Sequence, residues 1–168
     1  NMSIAFNISF RRVTVSTCGI VPEIFRLADE GIPITLAVSL HAPNDEIRNC
    51  LMPINRRYPI SQLLDACKYY IMKTKRRITF EYALISQVND SDECAYELSN
   101  LLKDMLCHVN LIPLNPVEGK IYKRSTPSQV HRFEKILSSS GISTTVRREL
   151  GSDIQAACGQ LRRSLLKR

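Results

Sequence analysis

The chain has 168 residues, enough for one domain with a sizeable core and too few for two comfortable ones. Its 44% hydrophobic content argues against disorder, and no run approaches the twenty or so apolar residues that span a membrane. A formal charge of +7 leans toward a polyanionic partner such as RNA or DNA, and six scattered cysteines without C-x2-C or C-x3-C spacing predict a reducing cytoplasm and no metal or cluster motif within the chain.

Arg12 to Ser16 is a β-branched run that predicts a strand, with Gly19 as its break. Val21 to Glu30 reads as a helix, and Gly31 is placed to end it. Ile34 to Leu40 is a near-continuous apolar strand of the kind buried on both faces. His41 to Asp45 turns, and a short helix is expected around Glu46 to Met52. Ser61 to Lys73 is amphipathic, with Leu63, Leu64, Cys67, Tyr70 and Ile71 at helical spacing and Ser61 as its expected N-cap. A strand follows over Ile78 to Ile85, then a helix capped by Ser91 or Asp92 and running to about Met105. His108 to Pro113 is the next strand, and the segment from Leu114 to Arg124 is a long loop. Ser125 or Thr126 then caps a helix with Pro127 in its first turn, reaching Gly141. Ile142 to Arg147 makes the last strand, and Asp153 to Leu166 is expected to be helical in part.

Strands alternating with helices, joined by connections long enough for crossovers, predict parallel βαβ units. An open doubly wound sheet fits this order, and so does part of a (β/α) barrel. No Gly-x-Gly-x-x-Gly and no Walker loop follows a strand, which weighs against a dinucleotide or nucleoside triphosphate site.

Ligands of parallel α/β folds bind at the carboxyl ends of the strands. Those ends carry Ser16-Thr17, Ser39 with His41, Ser86-Gln87 with Asn89, and Asn115. One such serine or asparagine is more often a turn former, but four ends alike favour a site for a polar small molecule. His41 has no announced triad partner and reads as a ligand-binding group rather than a proton carrier. Glu81 interrupts an apolar strand, so its carboxylate needs an arginine partner or a ligand. Near the C-terminus, Cys158 lies in Ala156-Ala157-Cys158-Gly159-Gln160-Leu161, a sterically open thiol with Arg147 and Arg148 upstream to favour its thiolate. The competing reading is a small core cysteine. The other five cysteines read as packing or incidental surface thiols.

Five segments occur together in order: Arg11-Arg12-Val13-Thr14-Val15-Ser16-Thr17-Cys18-Gly19, Ser39-Leu40-His41-Ala42-Pro43-Asn44-Asp45, Met52-Pro53-Ile54-Asn55, Asn110-Leu111-Ile112-Pro113-Leu114-Asn115-Pro116 and the Cys158 run. In these the chain closely resembles the radical-SAM methyltransferases that modify an adenine of 23S rRNA (the RlmN/Cfr family) over nearly its whole length from about Ile8. The resemblance implies an α/β fold of repeated βαβ units forming the C-terminal part of a partial (β/α)6 radical-SAM barrel. It implies S-adenosylmethionine held by Ser16, Ser39, Leu40, His41 and Asn115. It also implies that Cys158 is S-methylated and delivers its methyl carbon to the adenine through a radical, with a second cysteine resolving the RNA adduct. The closer type methylates adenine C2 in 23S rRNA and in tRNA; a Cfr-type relative methylates C8.

The family's C-x3-C-x2-C cluster motif, a Gly-Glu cofactor segment and the second cysteine have no counterpart in the chain. Residues 1–7 carry none of the quoted motifs, so 8–168 is expected to be the C-terminal part of the catalytic domain. The expected cofactors are S-adenosylmethionine and, in an intact enzyme, a [4Fe-4S] cluster whose ligands lie elsewhere. The expected partners are 23S rRNA, tRNA and a reducing electron donor, with no membrane, and the isolated chain is expected to be inactive. The alternative from another class is a non-catalytic RNA-binding barrel that has lost its cluster.

Overall fold

The computed structural model describes residues 9–115 and 122–147. Five parallel strands form one sheet in the order β1-β2-β3-β4-β5: Thr14–Thr17, Thr35–Ser39, Ile78–Leu84, Cys107–Pro113 and Thr144–Val146. The helices between them are α1 (Val21–Asp29), α2 (Asp45–Leu51), α3 (Ile60–Thr74), α4 (Asp92–Leu102) and α5 (Pro127–Ser139). Strand order follows chain order without a reversal, so the sheet has no topological switch point. That separates the two sequence-compatible folds: the sheet is a segment of a (β/α) barrel wall, not a doubly wound sheet.

The sheet's two faces differ in chemistry. Along β3, Ile78, Phe80, Tyr82 and Leu84 are buried while Thr79, Glu81 and Ala83 are half-buried. The same alternation runs along β4, with Val109 and Leu111 buried and His108, Asn110 and Ile112 half-buried. The buried set packs with Ile24, Leu63, Tyr70, Leu98, Phe133 and Leu137 of the helices in a single core. Helix burial is therefore the main source of stability, at roughly 1.5–3 kcal/mol for each large apolar side chain fully removed from water. Leu36, Ala37 and Val38 of β2 are all buried, as a near-continuous apolar run predicts.

Most element ends follow local rules. Asn44 caps α2 by accepting from the Ile47 amide (3.0 Å), and Ser91 caps α4 by accepting from the Cys94 amide (3.2 Å). Thr126, not Ser125, caps α5, accepting from the Gln129 amide at 3.2 Å. The expected Ser61 cap of α3 is not formed. The helix begins at Ile60 after Pro59, and the Ile60 amide donates to Asp45 Oδ1 at 2.9 Å, a tertiary cap from fifteen residues upstream. The segment Phe10–Arg12 is a 3-10 turn, so β1 starts at Thr14 rather than Arg12. α4 stops at Leu102, short of Met105, with Asp104 at positive φ.

Candidate cofactor site

The carboxyl ends of β1, β2 and β3 are tied together by two buried polar knots. In the first, Arg48 of α2 is fully buried and spreads its guanidinium over two strand ends. Its Nε donates to the Leu40 carbonyl (3.1 Å), and its Nη2 donates to the carbonyls of Cys18 (2.9 Å) and Ser39 (3.1 Å). Its Nη1 donates to Asn55 Oδ1 at 2.8 Å. Asn55, itself buried, donates onward to Asp45 Oδ1 (2.8 Å) and Asn49 Oδ1 (2.9 Å). Burial lowers the Arg48 pKa from its ordinary value, and the nearby Asp45 carboxylate opposes that shift. Gly19, at φ +103°, closes the β1 end against this knot; a Cβ there would lie 3.1 Å from Arg48 Nη2 and 3.2 Å from Leu63 Cδ1.

The second knot joins β2 to β3 through Asn89, which is fully buried. Its Nδ2 donates to the carbonyls of His41 (2.8 Å) and Ala83 (2.7 Å), and its Oδ1 accepts from the Ile85 amide (2.7 Å). The Tyr82 hydroxyl donates to the Asn89 carbonyl at 2.8 Å. Asn89 is thus spent on backbone and is not a ligand group, contrary to its place among the strand-end candidates. Gln87, at φ +61°, belongs to the same tight turn, its amide donating to Asp90 Oδ1 at 2.9 Å.

Between the knots β2 ends in an unusual way. The amides of Leu40 and His41 both donate to the Glu81 carbonyl, at 3.1 and 3.2 Å, and His41 turns to φ +57°. The imidazole then continues the ladder: the Ala83 amide donates to His41 Nδ1 at 3.0 Å. A ring nitrogen that accepts carries no proton, so the neutral ring's hydrogen is on Nε2. Burial, helped by the Arg48 charge, lowers the His41 pKa to about 4. At neutral pH His41 is therefore a neutral imidazole and a poor base.

The remaining sequence candidates sit as follows. Ser16 is exposed on β1 in register with Ala37, and Ser39 is half-buried in register with Glu81. Leu40 is fully buried in the core, with its amide and carbonyl engaged as above, so it acts through the shape of the backbone. Asn115 is half-buried two residues past the end of β4. Cys158 lies outside the described residues. Glu81 has no arginine partner among the described residues; instead Ser39 Oγ approaches its Oε2 at 3.4 Å. Register places Ser39, Glu81, Asn110 and Thr145 in one row across the half-open face. Burial pushes the Cys67 thiol up to about 12 and Cys107 up to about 11, so both remain protonated packing groups. Sequence reasoning missed Arg48, which lies between the two quoted segments Ser39 to Asp45 and Met52 to Asn55, and gave Asn55 only as part of the second.

The row of hydroxyl, carboxylate and amide groups, next to a neutral imidazole donor, matches a ligand that carries an ammonium group, sugar hydroxyls and a purine edge. S-Adenosylmethionine has those groups, and this donor set fits it. An iron–sulfur cluster is different: among the described residues no group of three or more His, Cys, Asp or Glu side chains could hold a metal.

These features define a (β/α) barrel segment with a polar rim at its strand ends, and sequence comparison gives its superfamily. The profile of the Radical SAM superfamily matches residues 2–98, and the chain belongs to that superfamily. Among curated relatives, the probable dual-specificity RNA methyltransferase RlmN of Thermoanaerobacter sp. (strain X514) is 59% identical over 160 residues, 95% of this chain and 47% of that protein. The protein of the same name from Desulforamulus reducens is 61% identical over 157 residues, 94% of this chain and 45% of its own length. The chain therefore spans about half the length of these relatives. Among solved structures, a radical SAM methyltransferase from Sphaerobacter thermophilus superposes with a TM-score of 0.88 at 56% identity, covering 92% of this chain and 45% of that one. A domain of pyruvate-formate lyase-activating enzyme from Bacteroides vulgatus, 13% identical with a TM-score of 0.57, covers 80% of this chain and 98% of that domain and shows the shared fold alone.

Proposed function

We propose that the chain is the C-terminal part, residues 8–168, of the catalytic domain of a cytoplasmic RNA methyltransferase that uses S-adenosylmethionine to methylate C2 of an adenine in 23S rRNA and in tRNA. The observation that carries this reading is the 59% identity, over 95% of the chain, to a protein named as a dual-specificity RNA methyltransferase. The polar rim supports it, as does the net charge of +7, which suits an RNA partner. No helix among the described residues is long and apolar enough to cross a membrane.

In this reading Ser16, Ser39, His41 and Asn115 hold the cofactor, His41 as a neutral Nε2–H donor and Leu40 through its backbone. Bound S-adenosylmethionine supplies an electrophilic methyl group. Adenine C2 is a poor nucleophile, so direct transfer from a sulfonium is slow. Cys158 is the nucleophile that would accept that methyl group, its thiolate being the form of cysteine that displaces a leaving group from carbon. The described residues offer no cluster ligands, so transfer from sulfur to adenine carbon relies on groups beyond them, including a reducing electron donor.

The test uses the complete protein. Mass spectrometry should find a methyl group on Cys158, and Cys158→Ala should abolish RNA methylation. Methylation that survives Cys158→Ala would refute the carrier role. Nucleoside analysis should give 2-methyladenosine; 8-methyladenosine would replace the C2 assignment with C8, and RNA binding without methylation would leave a binding barrel. The 168-residue chain alone should bind no iron on reconstitution and should methylate nothing.

A further inference from the structure

We propose that Arg48 is a positioning residue for the cofactor site: its buried guanidinium, hydrogen-bonded to the carbonyls of Cys18, Ser39 and Leu40, sets the rim that receives S-adenosylmethionine. The inference rests on the cofactor reading above. Its physical basis is the choice of partner. A fully buried guanidinium with no carboxylate in direct contact is costly, and that desolvation offsets much of what its hydrogen bonds contribute to stability. What an apolar group cannot do is fix three carbonyls of two strands at once.

Those contacts have a directional consequence. With the Ser39 and Leu40 carbonyls drawn to Arg48, the Leu40 and His41 amides are left for the Glu81 carbonyl, at 3.1 and 3.2 Å. The Ser39 hydroxyl then lies on the half-open face, 3.4 Å from Glu81 Oε2. The Cys18 carbonyl, held by the same Nη2 as Ser39, locks the β1 turn to β2. Arg48 thus aligns two rim segments that the cofactor reading needs together, Ser16 with its turn and Ser39 to His41. Lysine cannot replace it, because an ammonium is a point donor and not a planar fork. Asn55 reaches the rim only through Arg48 Nη1, so it gives an independent handle on the same device.

The experiment measures equilibrium binding of radiolabelled S-adenosylmethionine to the complete, cluster-reconstituted protein, with chemical denaturation on each variant. Arg48→Lys, where folded, should weaken binding by more than about fivefold, since small misplacements of a site have large effects. In turnover it should raise KM for S-adenosylmethionine with kcat little changed, the sign of lost ground-state binding. Leu137→Ala, a core truncation in α5 away from the rim, controls for lost stability and should leave binding within about twofold. A folded Arg48→Lys protein with a smaller loss, or an equal loss in Leu137→Ala, overturns the proposal. If Arg48→Lys does not fold, Asn55→Ala decides: weakened binding supports the role, and unchanged binding overturns it. Ser39→Ala and Asn115→Ala separate the two levels. Unchanged binding in both removes the cofactor reading, and the proposal with it, whereas loss in these alone removes only the role of Arg48.

Discussion

The two knots at the carboxyl end of the sheet do similar mechanical work with opposite electrostatics. Asn89 joins β2 to β3 with a buried neutral amide whose two N–H donors and carbonyl oxygen all meet backbone groups. Arg48 joins β1 to β2 with a buried charge whose nearest carboxylate, Asp45, is reached only through Asn55. A neutral knot with every valence filled is a stabilising device, because removing it strands buried carbonyls and an amide. A charged knot without a direct counter-ion contributes little net stability, so its value lies in the geometry it imposes. The lesson is that burial alone does not tell a stabilising polar group from a positioning one; the balance of charge does.

The comparison breaks most sharply on paired truncations. Asn89→Ala should cost about 4 kcal/mol of unfolding free energy, since the groups it leaves unpaired each cost roughly 1–3 kcal/mol before relaxation. Arg48→Met should cost only about 2 kcal/mol, because relief of guanidinium desolvation offsets much of the loss from three stranded carbonyls. Urea denaturation of the two variants checks the order. Arg48→Met proving the more destabilising would erase the distinction between the knots.

Acid titration sharpens the link between them. His41 stands between the knots, giving its carbonyl to Asn89 while the Arg48 charge disfavours its protonation. Its pKa is lowered from the ordinary 6.5 to about 4, chiefly by burial. The unfolded chain therefore takes up a proton before the folded one does. Stability from this group is complete above about pH 6.5 and is lost as pH falls toward 4, by up to about 3 kcal/mol. The steepness that His41 adds is read by comparing denaturation of the wild-type protein with that of His41→Gln over this range. Equal slopes would mean that the imidazole is not held neutral.

Much of this architecture is legible in the residues, for identifiable reasons. Ile34 to Leu40 and Ile78 to Ile85 announce strands because β-branched and aromatic side chains fit a pleated, buried surface, and Ser91 announces a helix because its capping bond is local. The start of α3 is not legible at Ser61, because the bond that sets it comes from Asp45, and a tertiary cap leaves no local signature. Arg48 reads as an exposed charge in Asp45-Glu46-Ile47-Arg48-Asn49, since arginine is almost never fully buried. Asn89 was legible as a polar strand-end group but not as structural, because a turn asparagine and a ligand asparagine look alike until their partners are known. Cys158 stands out in the sequence by its small neighbours and by family resemblance.

The smallest effect tests the neutral knot most cleanly. Tyr82 is fully buried on the core face of β3, with its ring 5.2 Å from that of Phe133 and its hydroxyl donating to the Asn89 carbonyl. Burial raises its pKa well above the ordinary phenol value, so the hydroxyl is protonated and a donor at any working pH. Tyr82→Phe keeps the ring and removes one donor, leaving the Asn89 carbonyl without that bond while the amide side chain keeps all of its own. The loss should be about 1 kcal/mol, the net worth of one neutral buried hydrogen bond. Cofactor affinity should stay within about twofold, because the bonds that shape the His41 turn are untouched. A loss as large as that of Asn89→Ala would mean that the hydroxyl, and not the amide, is what holds the β2–β3 end together.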